Sequence, residues 1–206
     1  MKIAVLGGTG DFGLALAKRL VRAGDEVVIG SRSEERAREA AGAMGATGAL
    51  NDDAVHGVDL VVLAVEAGAA VETATMLSNA LAATPVLSVA SELRFTKKGV
   101  FPHDDARSVA ERIADVVRGP VAAGLHSLAA TNLAVDAPLE QDALVCGDEA
   151  DAKALALELA SKVVAGRALD AGPLASARAL EGLTAVIVNL NRRYKAHAGV
   201  RVTGIA

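Results

Sequence analysis

The chain has 206 residues, enough for one large domain or for a domain with a small appendage, and its formal net charge is −4. Acidic and basic residues are interspersed, so no basic stripe indicates binding to nucleic acid. No apolar run has the length of a membrane span or of a signal peptide. The single cysteine, Cys146, excludes an intrachain disulfide and favours a reducing, cytoplasmic compartment. The histidines show no metal-ligand spacing, so no metal is expected.

Hydrophobic residues form 52% of the chain and aromatic residues only 2%, which is typical of a parallel α/β sheet built from Ala, Val and Leu and flanked by helices. Short apolar runs alternate with longer amphipathic runs and predict consecutive βαβ units. In chain order, the predicted strands are 2–6, 26–29, 59–65, 85–89, 120–123, 143–146 and a last one ending at Leu169. The predicted helices are 11–23, 34–44, 69–81, 107–117, one opened by Asp148 and Glu149, and a long one over 174–197.

Two segments stand out from this alternation. Segment 91–105 has neither a helical nor a strand period, and we expect a loop that covers a ligand. Helix 174–197 is apolar on more than one face, so it needs more than one surface to pack against. We expect burial in a homodimer; burial within its own domain is the alternative.

A glycine-rich segment follows the first predicted strand directly. Residues 7–13 read GGTGDFG and contain the pattern GxGxxG at Gly8, Gly10 and Gly13, immediately before a helix. The first glycine permits a tight turn, the second lets the backbone approach a pyrophosphate, and the third allows close packing of helix on strand. Glycines can serve turns alone, but the strand, the helix and the βαβ spacing together predict an NAD(P)-binding Rossmann fold.

The end of the second strand indicates which dinucleotide is bound. An NAD-binding protein typically has Asp or Glu there, whereas this chain has Ser31 and Arg32, with Arg36 one helical turn further on. A hydroxyl and two guanidinium groups suit a 2′-phosphate, so NADP is favoured over NAD. In the alternative interpretation, the two arginines are solvated surface charges beside Glu34 and Glu35.

The chain is poor in residues for acid-base catalysis. Its only tyrosine is Tyr194, and position 198 is alanine, which excludes the Tyr and Lys pair of short-chain dehydrogenases. Apart from His126 and the carboxylates, little could act as a general acid or base near the expected site. Such a site suits hydride transfer between two rings, where positioning supplies most of the catalysis.

Five segments in order resemble the NADPH-dependent reductases of the deazaflavin coenzyme F420: AVLGGTGDFG, GSR with a basic residue four further on, GLHSLAA, VCGDEADAK and LDAGPLASARALEGLTAVIVNLN. The resemblance covers most of the chain. It implies a Rossmann domain (1–145) with a C-terminal α/β appendage (146–206) that completes the pocket and the interface of a homodimer. It also implies reversible hydride transfer between NADP(H) and C5 of F420, with no side chain as covalent catalyst.

The same resemblance assigns cofactor-binding residues. Those at the pyrophosphate are Thr9, Gly10, Asp11 and Phe12, those at the 2′-phosphate are Ser31, Arg32 and Arg36, and those at the nicotinamide carboxamide are backbone groups of Leu128 and Ala130, after His126. Val65 lies at a strand's carboxyl end, where ligands of open α/β sheets bind. Here the chain departs from the family, because Val65-Glu66-Ala67 replaces a proline-containing turn and residues 88–91 replace a Ser-Pro turn.

Other interpretations remain open from the sequence. The chain could reduce a small imine or carbonyl substrate with NADPH, or it could be a non-catalytic NADP sensor that presents segment 94–105 to a partner protein. The basic residues Arg94, Lys97 and Lys98 could attract the phosphate and carboxylates of the F420 tail, or could simply be solvated. His126 could be a hydrogen-bonded core residue.

Overall fold

The computed structural model describes residues 1–205. Its strands are β1 (Lys2–Leu6), β2 (Glu26–Ser31), β3 (Thr47–Leu50), β4 (Leu60–Leu63), β5 (Val86–Ser88), β6 (Leu93–Thr96), β7 (Gly99–Pro102), β8 (Val121–Gly124), β9 (Ala143–Gly147) and β10 (Ala168–Asp170). Its α-helices are α1 (Asp11–Arg22), α2 (Glu34–Gly42), α3 (Asn51–Ala54), α4 (Ala67–Leu81), α5 (Val109–Ala114), α6 (Ala130–Leu133), α7 (Ala150–Val163) and α8 (Ala177–Tyr194).

Eight strands form one sheet in the order β3-β2-β1-β4-β5-β8-β9-β10. All neighbours run parallel except β8 and β9. The central strand β4 has the sequence LVVL and is buried throughout, as expected for a strand covered by helices on both faces. Two hydrophobic clusters, rich in Ala, Val and Leu, fill the two faces of the sheet. The predicted Rossmann fold is therefore confirmed, and β1 to β5 and β8 all end at one edge of the sheet.

Segment 91–105 is not the loop that we expected. It forms an antiparallel hairpin of β6 and β7, in which Leu93 pairs with Pro102 and Thr96 with Gly99. Asn189 of α8 bonds both backbone groups of Val100, through its Oδ1 (2.9 Å) and its Nδ2 (2.7 Å). Two short strands are marginal without such support, and this distant support is invisible in the local sequence.

Smaller differences concern element ends. No pattern in the sequence predicted β3, α3 or α6, each of four residues. The long C-terminal helix ends at Tyr194 because Lys195 takes a left-handed conformation with φ of +50°. The expected boundary between residues 145 and 146 lies inside β9, so the division into a Rossmann domain and an appendage stays a prediction. Within residues 1–205, no helix is both long and apolar enough to cross a membrane.

Candidate active site

The turn between β1 and α1 has room only for glycine at three positions. Gly7 has a φ of +82°, and a Cβ on it would lie 2.6 Å from the carbonyl oxygen of Ala64. A Cβ on Gly13 would lie 2.5 Å from the Gly7 carbonyl oxygen, and one on Gly8 would lie 2.9 Å from that of Val5. These close approaches bring the start of α1 against the carboxyl ends of β1 and β4.

Gly10 serves a different purpose in this turn. A Cβ on it would meet only the Gly7 carbonyl oxygen, at 3.4 Å, so the space in front of it is open. It is the N-cap of α1, and no side chain caps the helix. The amides of the first helical turn therefore point outward without acceptors, at the positive end of the helix dipole. Phosphate groups bind at such helix ends.

A long cleft of about 710 Å³ runs along the carboxyl edge of the sheet in front of this turn. One side is formed by the glycine turn and the β2–α2 connection, and the other by the start of α4. The lining residues are Gly7, Thr9, Gly10, Ser31, Arg32, Ser33, Arg36, Asn51, Ala64, Val65, Glu66, Ala69, Glu72, Thr73 and Met76.

Hydrogen bonds hold the β2–α2 connection in place at one end of the long cleft. Ser31 ends β2, and its Oγ accepts a hydrogen bond from the Ser33 amide at 3.2 Å. The Oγ of Ser33 in turn accepts from the Arg36 amide at 3.4 Å and caps α2. The backbone that carries the two arginines is therefore ordered before any ligand arrives.

No carboxylate in the described residues neutralises the two arginines of this connection. Arg32 and Arg36 are exposed and form no ion pair within residues 1–205. Glu34, which could neutralise them, pairs instead with Arg38 at 2.5 Å. Both guanidinium groups are therefore solvated and available to a bound anion, and their assignment to a 2′-phosphate stays a prediction.

A second, shorter cleft of about 220 Å³ continues from the first. Ala64 and Val65 line both clefts and form the junction between them. Most side chains of the shorter cleft are small or apolar, which suits a flat ring. Its lining comprises Phe12, Ala64, Val65, Ala67, Val89, Ala90, Ser91, Leu93, Leu125, His126, Leu128 and Thr184.

His126 is the one titratable side chain among those residues. It is 5% exposed, and neither ring nitrogen has a hydrogen-bond partner of normal geometry. Burial lowers the pKa of His126 to about 4, and a backbone contact with Ala90 offsets only part of that effect. The imidazole is therefore neutral near pH 7, and its acceptor nitrogen has no partner.

The backbone around His126 is strained and fixed. Leu125 has a φ of +65°, unusual for a bulky residue, and its carbonyl accepts from the Leu128 amide at 2.9 Å. Thr184 of α8 donates to the His126 carbonyl at 2.8 Å and lies 2.7 Å from the Ser91 hydroxyl. Three segments distant in sequence are thereby joined at the wall of the short cleft.

Comparison with known proteins decides the family. Residues 2–92 match the family described as NADP oxidoreductase coenzyme F420-dependent. The chain is 37% identical to an F420-dependent NADP reductase of Methanothermobacter thermautotrophicus over 100% of its own length and 96% of the relative's. The chain belongs to the F420-dependent NADP reductase family. Its identity to the corresponding reductase of Methanocaldococcus jannaschii is 33%, over 100% and 99% of the two chains.

A solved structure supports the fold of this family member. The crystal structure of a putative F420-dependent NADP reductase from an Arthrobacter species matches it with a TM-score of 0.87 and 24% identity. The match covers 99% of this chain and 100% of the other. At that identity the similarity confirms the architecture alone.

In this member of the F420-dependent NADP reductase family, most of the site residues predicted from the sequence lie in the two clefts. Those in the long cleft are Thr9, Gly10, Ser31, Arg32, Arg36 and Val65, and those in the short cleft are Phe12, Val65, His126 and Leu128. Gly8, Asp11 and Gly13 form the turn and the start of α1, whereas Ala130 opens α6 outside both linings. Glu66 lines the long cleft and not the short one.

Several lining residues were not assigned to the site from the sequence, and four of them are instructive. Gly7 carries the left-handed conformation of the turn, and the doubled glycine was the signal for it. Asn51 follows β3, which had no sequence signal. Ser91 and Thr184 meet across the short cleft, and nothing in their local sequence indicates this contact.

Proposed function

We propose that the chain transfers hydride reversibly between NADP(H), bound along the long cleft, and the deazaflavin F420, whose ring enters the short cleft. One observation carries this assignment: a phosphate-binding turn with free cations leads, through Ala64 and Val65, directly into a small apolar cleft with one neutral histidine. The nicotinamide and deazaflavin rings supply the hydride chemistry themselves when they are bound.

The residues of the long cleft would hold the nucleotide without moving. The uncapped amides at the start of α1 face the pyrophosphate, with Gly10 leaving room for its approach. Ser31, Arg32 and Arg36 hold the 2′-phosphate at the other end. Because hydrogen bonds already order this connection, little conformational freedom is lost on binding.

The residues of the short cleft would orient the two rings and exclude water. The neutral imidazole of His126 would offer its acceptor nitrogen to a polar ring substituent, and the backbone at Leu128 and Ala130 would add contacts to the nicotinamide carboxamide. The hydroxyls of Ser91 and Thr184 stand opposite small side chains such as Ala90. No residue of this cleft needs to form a covalent bond, because positioning supplies the catalysis.

The direct test is NADP reduction, followed at its near-ultraviolet absorbance, with reduced F420 as hydride donor. Arg32→Ala should raise the KM for NADP by about 10- to 100-fold, the value of one charge-assisted contact, with little change in kcat. Arg38→Ala is a matched control, because Arg38 lies on the helix that follows Arg32 and is already paired with Glu34. Its KM should change less than about two-fold.

Absence of turnover despite tight NADPH binding would contradict the proposal. Reduction of a small imine or carbonyl without F420 would then favour an NADP-dependent reductase. Binding of both nucleotide forms with no turnover of any substrate would favour a redox sensor. An equal rise in KM for Arg32→Ala and Arg38→Ala would contradict the assignment of the 2′-phosphate site alone.

We also propose that residues 146–206 complete the pocket and that two chains form a homodimer. Thr184, which lines the short cleft, supports the first point. For the second, α8 leaves Val186, Leu190 and Tyr194 exposed along one stripe. Light scattering should give twice the chain mass, and Leu190→Glu should return it to the monomer value; a monomeric wild type would contradict this.

A cytoplasmic location is proposed as well. Burial raises the pKa of the Cys146 thiol to about 12, so it stays a protonated core thiol and forms no disulfide. Cell fractionation would test the location, and recovery in an extracellular fraction would contradict it.

A further inference from the structure

The β6–β7 hairpin presents two different faces. Antiparallel partners share a face, so Phe95 and Val100 point one way, and Arg94 and Phe101 point the other. The first face packs toward α8, because Val100 is buried and Asn189 bonds its backbone. The second face is open and forms a groove of about 420 Å³, lined by Arg94, Thr96, Lys97, Lys98 and Phe101.

The tip of this hairpin is ordered by its own hydrogen bonds. The Oγ1 of Thr96 accepts from the Lys98 amide at 3.1 Å and donates to the Gly99 carbonyl at 2.9 Å. On the open face, the Arg94 guanidinium lies 5.8 Å from the centre of the Phe101 ring. The groove is therefore a shaped surface and not a set of freely moving side chains.

Positive charge concentrates at this tip although the chain as a whole is acidic, with a net charge of −4. Lys97 and Lys98 form the turn, and Arg192 of α8 stacks on Phe95 at 5.6 Å. In the part of the chain that the structure describes, none of these three forms an ion pair, whereas Arg94 pairs with Asp104 at 3.1 Å. The unpaired cations are available to an anion.

The hairpin is also continuous with the short cleft. Leu93, the first residue of β6, lines that cleft and shares the face of Phe95. Lys97 follows the last residue of β6, about 13 Å further along the chain. The short cleft also opens into the long cleft, whose wall carries Glu66 and Glu72. The dinucleotide would fill that long cleft. A negatively charged extension of the ring is thus repelled by the two glutamates and attracted toward the lysines of the hairpin.

From this arrangement we infer that the tip of the hairpin binds the anionic tail of F420, the phosphate and carboxylates that extend from its ring, through Lys97 and Lys98. The inference rests on the proposed function, because it assumes that the deazaflavin ring occupies the short cleft. The contacts are exposed and electrostatic, so they tune affinity for the coenzyme and leave hydride transfer itself unchanged.

The test compares F420 with the tailless deazaflavin riboside as substrates of the same full-length enzyme. Lys97→Ala/Lys98→Ala should raise the KM for F420 by about three- to ten-fold and leave the KM for the riboside and both kcat values unchanged. The matched control is Lys18→Ala/Arg118→Ala, which removes the same charge from two exposed residues outside both clefts. Added salt should weaken F420 binding more than riboside binding in the wild type only.

The outcomes distinguish a failure of tail binding at the hairpin from a failure of the proposed function. The inference is overturned if the ratio of the KM for F420 to the KM for the riboside is the same in the wild type and in the hairpin variant. The proposed function is unaffected by that result. A parallel loss with both substrates also overturns it, because the hairpin would then act on the ring or the fold. If the wild type turns over neither substrate, the proposed function fails and the inference fails with it.

Discussion

Replacing two glycines of the β1–α1 turn should separate folding from nucleotide binding. Gly13→Ala places a Cβ 2.5 Å from the Gly7 carbonyl oxygen and 2.9 Å from the Gly8 Cα, so rigid backbone must shift. Overpacking of this kind costs about 1–3 kcal/mol, which lowers Tm by about 3–10 °C in a chain of this size. Gly10→Ala meets one atom at 3.4 Å and costs about 0.5 kcal/mol as a poorer N-cap.

The effects of the two substitutions on NADPH affinity should not follow their effects on stability. The new methyl group of Gly10→Ala stands where the pyrophosphate approaches and should raise the dissociation constant of NADPH by about 10- to 100-fold. Gly13→Ala should lose both stability and affinity, since the turn itself is displaced. Thermal denaturation and fluorescence titration with NADPH measure the two quantities. A Gly10→Ala protein with wild-type affinity, or with the Tm loss of Gly13→Ala, would refute this reasoning.

Two further predictions concern pH. Burial lowers the pKa of His126 from 6.5 to about 4, so the unfolded chain binds a proton that the folded chain excludes; stability present above pH 6.5 falls toward pH 4 by up to about 3 kcal/mol. Burial raises the pKa of Glu181 from 4.5 to about 7, so stability instead falls as pH rises through 7, by about 1 kcal/mol from pH 6 to 8. The two windows overlap between pH 4.5 and 6.5, where the two slopes oppose each other. In urea titrations, His126→Gln should remove the rise in stability between about pH 4 and 6.5, and Glu181→Gln should remove the fall between about pH 4.5 and 7; an unchanged slope in either variant would disprove that assignment.

The nucleotide half of the site was predictable because its signals are local. The strand, the glycine turn, the helix and the Ser31-Arg32 pair lie within the first βαβ unit, where spacing alone determines the geometry. The neighbouring strand β3 was not predictable. Its residues TGAL have no period, and it forms because β2 offers a free edge and Gly48 lets it pass the backbone of Ala37, where a Cβ would lie at 2.4 Å.

The short cleft was only partly predictable for a different reason. Phe12, Val65, Ser91, His126 and Thr184 come from five distant segments, which meet because parallel strands end at one edge of the sheet. The GLHSLAA segment pointed to His126, but no local pattern could show that its ring nitrogens remain unpaired. Thr184 lies in a helix whose apolar pattern suggested packing alone.

Helix α8 explains why the ring cleft and the hairpin belong together. Its Thr184 holds Ser91 and the His126 carbonyl at the cleft wall, and its Asn189, further along, holds the Val100 backbone in the hairpin. One rigid element thus sets the distance between the place where the ring would react and the lysines that would hold its tail. A ligand that spans both places is bound by a surface already ordered, which reduces the entropy that binding must overcome.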